Sequence, residues 1–269
     1  MPAVSAWWQS IPGPDPGMLW IGALLIGLAY AVRSARLSAL DPRHMYWAGV
    51  CAIAGGVWGS HALVVLQNGN VDARTLARAW EGAKSFYGGV AGGTLAALLY
   101  FRLRRLPSVA YADAAIPAVA LGYAIGRVGC FVNGDDFGTL SGLPWAVRYP
   151  AGTAAYVAHA SRGWIEPFDA QSLPVHPTQL YSALLGLMLF IVLSRWRPPT
   201  PGWRVGIAAA GYSIVRFVLE GWRGDFQPVL ASFSMPQLCS IVLLSLVTVL
   251  GLRQRWQHIH SQVAANPMQ

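Results

Sequence analysis

Apolar positions in this chain gather into long runs, and the segments between them are short and rich in arginine, proline and glycine. Runs that approach about 20 residues suit helices crossing a bilayer. The pattern predicts seven such helices, over 18–32, 46–66, 86–101, 112–132, 178–194, 205–222 and 236–252. The first is short for a full span, and Lys84 sits almost at the start of the third. The expected fold is an all-α polytopic membrane protein, with about seven transmembrane helices and a small outward-facing head.

The longest break in the apolar pattern runs from 133 to 177 and is expected to form that head. Leu143–Pro150 alternates like a short strand with prolines at its ends, which suggests a hairpin. Residues 151–171 are small, polar and turn-rich. A structureless loop of this length is uncommon unless it is functional. The remaining organisation follows: 1–17 as an outward N-terminal segment, 18–252 as the membrane domain, and 253–269 as a polar, frayed cytoplasmic tail. Met1–Gly17 lacks a basic leader and carries three prolines, so no cleavable signal peptide is expected. Glycine pairs at 55–56, 88–89 and 92–93 allow close helix approach, or room for a lipid tail.

Composition agrees: 55% of residues are apolar, 11% are charged, and there are 12 tryptophans. The net charge of +8 does not point to nucleic acid, because the arginines flank apolar runs. Arg33, Arg36, Arg43, Arg102, Arg104, Arg105, Arg195, Arg197, Arg204, Arg253 and Arg255 fall on one side of the predicted bundle. That excess assigns this side to the cytoplasm, with the N-terminus outside and the C-terminus inside. Cys51, Cys130 and Cys239 lie in or beside apolar runs with no ligand spacing, so they read as small buried hydrophobes. No metal site and no cofactor are expected from this pattern.

Four polar features interrupt the apolar segments. The first is Arg127 with Asn133, Asp135 and Asp136; the second is Arg216 and Glu220, with Arg223 a turn on. The third is HPTQLY at 176–181, beginning with His176, and the fourth is KSFYGG at 84–89, with Lys84 and Tyr87. An arginine at a bilayer centre costs roughly 2.5–3.5 kcal/mol, less near an interface, so Arg127 calls for an anion. Arg216 and Glu220 share a helix face at i, i+4 and are expected to pair. Two or three guanidiniums beside glycine-rich helices suit a phospholipid headgroup, since arginine meets phosphate oxygens bidentately. A structural ion-pair network is the competing reading, and the one favoured for Glu220. His61, alone in the second helix, reads as a satisfied polar contact. His44, His159, His258 and His260 fall in loops or the tail with no constellation around them.

These motifs resemble prolipoprotein diacylglyceryl transferases. GRVGCFVNGDDFG at 126–138 is similar to the family signature, and YGGVAGG at 87–93, HPTQLY, GYSIVRFVLEGWR at 211–223 and SMPQLCS at 234–240 follow in family order. The resemblance implies a seven-helix enzyme of the bacterial cytoplasmic (inner) membrane. It implies transfer of a diacylglyceryl group from phosphatidylglycerol, or a related phospholipid, to the lipobox cysteine in the signal-peptide region of a prolipoprotein. By position, Arg127 and Arg216 would hold phosphate or stabilise the leaving group. Asn133 and Gly138 would shape the site, Glu220 and Arg223 would orient Arg216, and His176 would sit at the outer mouth.

The chain also departs from the family pattern. Cys130 replaces the signature asparagine, and Tyr87 replaces the histidine before the Gly-Gly of the third helix. Ile21, His61 and Pro236 stand where tyrosine, arginine and glycine are usual. The base is therefore open: Tyr87 is poor at neutral pH unless Lys84 or Arg127 shifts it, and His61 and His176 are the substitutes. Two other readings stand beside the enzyme: a non-catalytic phospholipid-binding accessory protein, and a same-fold transferase with a different acceptor.

Overall fold

Helix starts in this chain are set by side-chain oxygens and prolines. Asp41 accepts the backbone N–H of Arg43 at 2.8 Å and is followed by Pro42, so α2 begins there and runs Pro42–Gln67. Ser85 accepts from the N–H of Gly88 and starts α3, Phe86–Leu103. The computed structural model describes residues 16–69, 72, 75–76, 78, 85–166, 168–198 and 200–265. Within these residues α1 is Pro16–Leu37, α4 Ser108–Asn133, α5 Ala154–Ser161, α6 Thr178–Arg195, α7 Trp203–Glu220 and α8 Met235–Ala265.

The seven long helices match the predicted segments. Five of them, α1, α2, α4, α6 and α8, are long and apolar enough to cross a membrane by length and composition. In α7 the apolar run is broken by Arg204, Arg216 and Glu220. The helices expose Leu25, Leu95, Leu99, Leu184, Met188, Leu246 and Val249, side chains suited to lipid and not to water. Most helix ends fall within about five residues of expectation, and two features differ more. Helix α8 continues to Ala265, beyond the predicted end at Leu252. Among the described residues, the two-stranded hairpin is at Pro228–Leu230 and Phe233–Ser234, and the head has isolated bridges in place of the expected hairpin.

The chain divides into two units, residues 1–23, 120–198 and 203–269, and residues 24–119 with 199–202. The second unit is built on small residues. Ala31, Ala35, Met45, Ala48, Phe101, Tyr111, Ala114 and Ala118 form its buried cluster, with Phe101 and Tyr111 stacked at 4.9 Å. Beside it α2 and α3 meet along glycines. A Cβ on Gly55 would lie 2.7 Å from the carbonyl oxygen of Gly92, and one on Gly59 would lie 2.5 Å from that of Gly88. The glycine pairs thus serve backbone contact between helices, the packing alternative of the two raised by the sequence.

The first unit contains the head. Phe137, Val147, Tyr149, Ala155 and Val175 form its core. The alternating segment 143–150 pairs through single bridges, Val147 with Val175 and Pro150 with Gln171. The turn-rich stretch contains helix α5, which its short length and weak apolar pattern concealed. His159, expected in a loop with no constellation around it, is buried on α5 and accepts the N–H of Leu173 at 3.2 Å. Burial, with Arg162 adding, lowers its pKa, which favours the neutral ring that anchors the head.

Candidate functional site

Three segments of the first unit are sewn together by backbone hydrogen bonds. Gly138 donates to the carbonyl of His176 at 3.1 Å, and His176 donates to that of Thr139 at 3.0 Å. Thr139 donates to Trp222 at 2.7 Å, and Gly224 donates to Phe137 at 3.0 Å. This ladder lays the end of the signature between the start of α6 and the end of α7. Glycine is required there: a Cβ on Gly138 would lie 2.5 Å from the His176 carbonyl oxygen, and one on Gly224 would lie 2.6 Å from the Phe137 ring.

Just before the ladder, Asp136 adopts a left-handed φ of 54°. Such a backbone is sparsely populated for residues other than glycine, though aspartate tolerates it better than most. Side chains of α6 hold it. Thr178 Oγ1 donates to the Asp136 carbonyl at 2.8 Å, and Gln179 Nε2 donates to the Asp135 carbonyl at 2.5 Å. The Asp136 carboxylate then bridges two arginines. Oδ2 pairs with Arg127 of α4, and Oδ1 accepts from Arg223 Nη2 at 2.5 Å. Burial alone would raise this carboxyl, but Arg223 and then Arg127 outweigh it and hold it at about 2.

The other guanidiniums are braced from behind. Arg127 lies 5.1 Å over the ring of Tyr123. Arg223 also binds Asp225 through Nε at 2.8 Å and Nη2 at 2.5 Å. Arg216 Nη1 stands 2.6 Å from Glu220 Oε2, and Ser234 Oγ donates to Glu220 Oε1 at 2.7 Å. Glu220 Oε2 is buried without an aligned donor, so this pair is a charge contact and not a bidentate fork. Among the described residues, Glu220 is the one ion-pair partner of Arg216. Arg127, Arg216 and Arg223 together with Asp136, Thr178, Gln179, Ser182 and Leu219 line one pocket, which has room for about a single water.

The predicted site residues therefore separate. Arg127, Arg216 and Arg223 converge, with Glu220 behind Arg216 as expected. Arg223, expected to orient Arg216, has Asp136 and Asp225 as its closer partners, and its Nε is 3.9 Å from Glu220. Gly138 shapes the site through the ladder. Asn133 is exposed and donates to Asp135 Oδ2 at 2.8 Å, away from the pocket lining. His176 is half-buried beside the ladder, stacked on Trp222 at 6.5 Å, with Nδ1 3.3 Å from the Tyr181 hydroxyl that Trp145 also contacts. Tyr87 and His61 belong to the second unit. Tyr87 is exposed in the first turn of α3. His61 is buried, with Nε2 2.7 Å from the carbonyl of Thr75. Lys84 lies outside the described residues.

Sequence reasoning missed Thr178, Gln179 and Ser182 as lining residues, and Ser234 as the support for Glu220. The HPTQLY motif contained Thr178 and Gln179, Ser182 follows it directly, and SMPQ begins with Ser234, but hydroxyls and amides in helix starts carry no charge anomaly to mark them. Cys130, Asp135 and Asp136 also place potential metal-ligand atoms within 4.8 Å of one another. Both Asp136 oxygens are committed to arginines, which leaves fewer donors than the three or four that zinc takes from protein.

This is a helical membrane protein in which three half-buried arginines, Arg127, Arg216 and Arg223, converge on one pocket, an arrangement that suits an anionic group. The sequence profile of prolipoprotein diacylglyceryl transferase matches residues 17–253, and the chain belongs to that family. A phosphatidylglycerol–prolipoprotein diacylglyceryl transferase of Synechococcus elongatus is 33% identical over 257 residues, covering 88% of this chain and 84% of the relative. One from Pseudomonas entomophila is 32% identical over 216 residues, covering 75% and 74%. One from Pasteurella multocida is 36% identical over 155 residues, covering 56% and 51%.

Proposed function

We propose that this protein transfers a diacylglyceryl group from phosphatidylglycerol to the lipobox cysteine of a prolipoprotein. The observation that carries this reading is the convergence of Arg127, Arg216 and Arg223 on one pocket in a chain of this family. In the reaction the cysteine sulfur attacks a glyceryl carbon, the C–S bond forms and the C–O bond to phosphate breaks. The departing oxygen leaves as glycerol phosphate, which takes the bonding electron pair.

The arginines act on that leaving group. In the substrate the phosphodiester carries one negative charge, and further charge develops on the departing oxygen. Preorganised guanidiniums stabilise this developing charge more than the ground state. Glu220 and Ser234 fix Arg216, and Tyr123 and Asp225 fix Arg127 and Arg223 at low reorganisation cost. The thiol proton needs little help. A cysteine with an ordinary pKa near 8.5 is already partly ionised, and nearby cations lower that value. His176 is the first choice for an acceptor, because it is half-buried beside the backbone ladder and its Nδ1 meets a hydroxyl, that of Tyr181, among the described residues. His61 is less suited, since its Nε2 is engaged by a carbonyl. Tyr87 is kept as an alternative acceptor, and Lys84 and Asn133 are read as substrate contacts.

The arginine distribution supports seven crossings, with the N-terminus outside the cytoplasmic membrane and the C-terminus inside. The head and pocket would then face the outer leaflet, where the lipobox of an exported precursor arrives. Purified protein with phosphatidylglycerol vesicles and a lipobox peptide tests the reading. Thioether-linked diacylglyceryl peptide is expected; its absence, where an authentic family member works, overturns it.

A further inference from the structure

The pocket already contains an anion, and it belongs to the chain. Asp136 spends one oxygen on Arg127 and the other on Arg223, two arginines carried by different parts of the fold. A bridging phosphate would make the same pair of contacts. With the carboxylate in place there is room for about a single water, far too little for a phosphodiester. Lipid phosphate and Asp136 therefore compete for the same guanidiniums and the same space.

We propose that Asp136 is an internal stand-in for the lipid phosphate, and that substrate binds by displacing its carboxylate from Arg127 and Arg223. The inference rests on reading the pocket as a phosphate site. Its neighbour is in a different position: the Asp135 side chain accepts from Asn133 and pairs with no arginine among the described residues.

The local construction suits such an exchange. The Asp136 backbone is pinned by Thr178, by Gln179 through the preceding carbonyl, and by the Gly138 ladder. The side chain, in contrast, is 32% exposed and can rotate outward into water. The arginines keep other supports when it leaves. Arg127 retains the Tyr123 ring, Arg223 retains Asp225, and Arg216 retains Glu220. A carboxylate and a phosphodiester each carry one negative charge, so exchange leaves the charge of the site unchanged. An unpaired cluster of half-buried guanidiniums would be costly at a membrane, and Asp136 removes that cost between turnovers. On return, the same carboxylate competes with the glycerol phosphate that must depart.

Asp136→Asn separates this role from simple bracing, because asparagine keeps the shape and tolerates the left-handed backbone but loses the charge. The full chain is purified and compared with wild type for KM toward phosphatidylglycerol and for inhibition by inorganic phosphate. Both constants are expected to fall by about fivefold or more in the variant, since the competing charge is gone. Unchanged or higher values overturn the proposal and leave Asp136 as a brace. Wild-type turnover is measured in parallel, so failure of the phosphate-site reading itself is distinguishable. If the variant does not purify as a folded protein, the structure of wild type soaked in phosphatidylglycerol decides. Asp136 released from both arginines supports the exchange; phosphate bound with both Asp136 ion pairs intact contradicts it.

Discussion

The arginine pocket and the α2–α3 glycine seam are both places where the chain comes into close contact, for opposite physical reasons. In the seam, backbone touches backbone because side chains have been removed, and a Cβ at Gly55, Gly59, Gly88 or Gly92 cannot be added without moving a helix. In the pocket, long charged side chains meet, and each contact is between groups that can exchange partners. The seam gives fixed geometry at low chemical content. The pocket gives chemical content that depends on supports such as Glu220, Tyr123 and Asp225. Substitutions in the seam should therefore act on folding, whereas substitutions in the pocket should act on turnover first.

The largest expected effect is at the pocket. Arg127→Ala or Arg216→Ala should lower kcat by about 10²–10³-fold, the loss typical of one preorganised charge-stabilising group. Thermal unfolding in detergent should change much less, which separates chemistry from fold. At the seam, Gly59→Val should cost about 1–3 kcal/mol or more of stability, from overpacking against the Gly88 carbonyl. Unfolding temperature measures this, and an unchanged value would break the comparison.

Gly138→Ala tests the ladder that joins the two kinds of contact, since its Cβ would strike the His176 carbonyl. Both turnover and unfolding temperature should fall. Ser234→Ala should be milder, removing a hydrogen bond to a charged group worth about 1.5–3 kcal/mol. Its signature should be a kcat loss of roughly tenfold through Arg216. Rescue by Ser234→Thr would mark it as positioning.

The smallest effect concerns pH. The Asp136 carboxyl is held at about 2, below its ordinary value, so its ion pairs stabilise the fold fully above pH 4. That contribution should be lost only as pH falls from about 4 toward 2. Thermal unfolding should therefore be insensitive to this group between pH 5 and 8, and Asp136→Asn should flatten the acid limb.

Much of this was legible in the sequence because charges inside apolar runs are anomalies. Arg127, Arg216 and the i, i+4 partner Glu220 stand out on that ground alone, and their convergence followed from the family motifs. The bridging role of Asp136 was not legible. It depends on a left-handed backbone and on a contact spanning the 87 residues to Arg223. Helix α5 was hidden for a related reason, since eight residues with a single buried face carry too little periodicity to read. His159 became a core anchor only once α5 packed on the head. The hairpin at 228–234 lies where no alternation marks it. Tyr87, by contrast, was conspicuous as a departure. General-base loss typically costs 10²–10⁴-fold, so Tyr87→Phe measures whether the tyrosine inherited that duty. A loss smaller than about tenfold would assign proton removal elsewhere.

The most direct test of the central claim is mass spectrometry of a lipobox peptide incubated with phosphatidylglycerol and either wild type or folded Arg127→Ala. The account predicts a diacylglyceryl thioether on the peptide cysteine with wild type, and a rate lower by about 10²-fold or more with the variant. Equal rates from the two proteins would contradict the assignment of the arginine pocket as the site of phosphate departure.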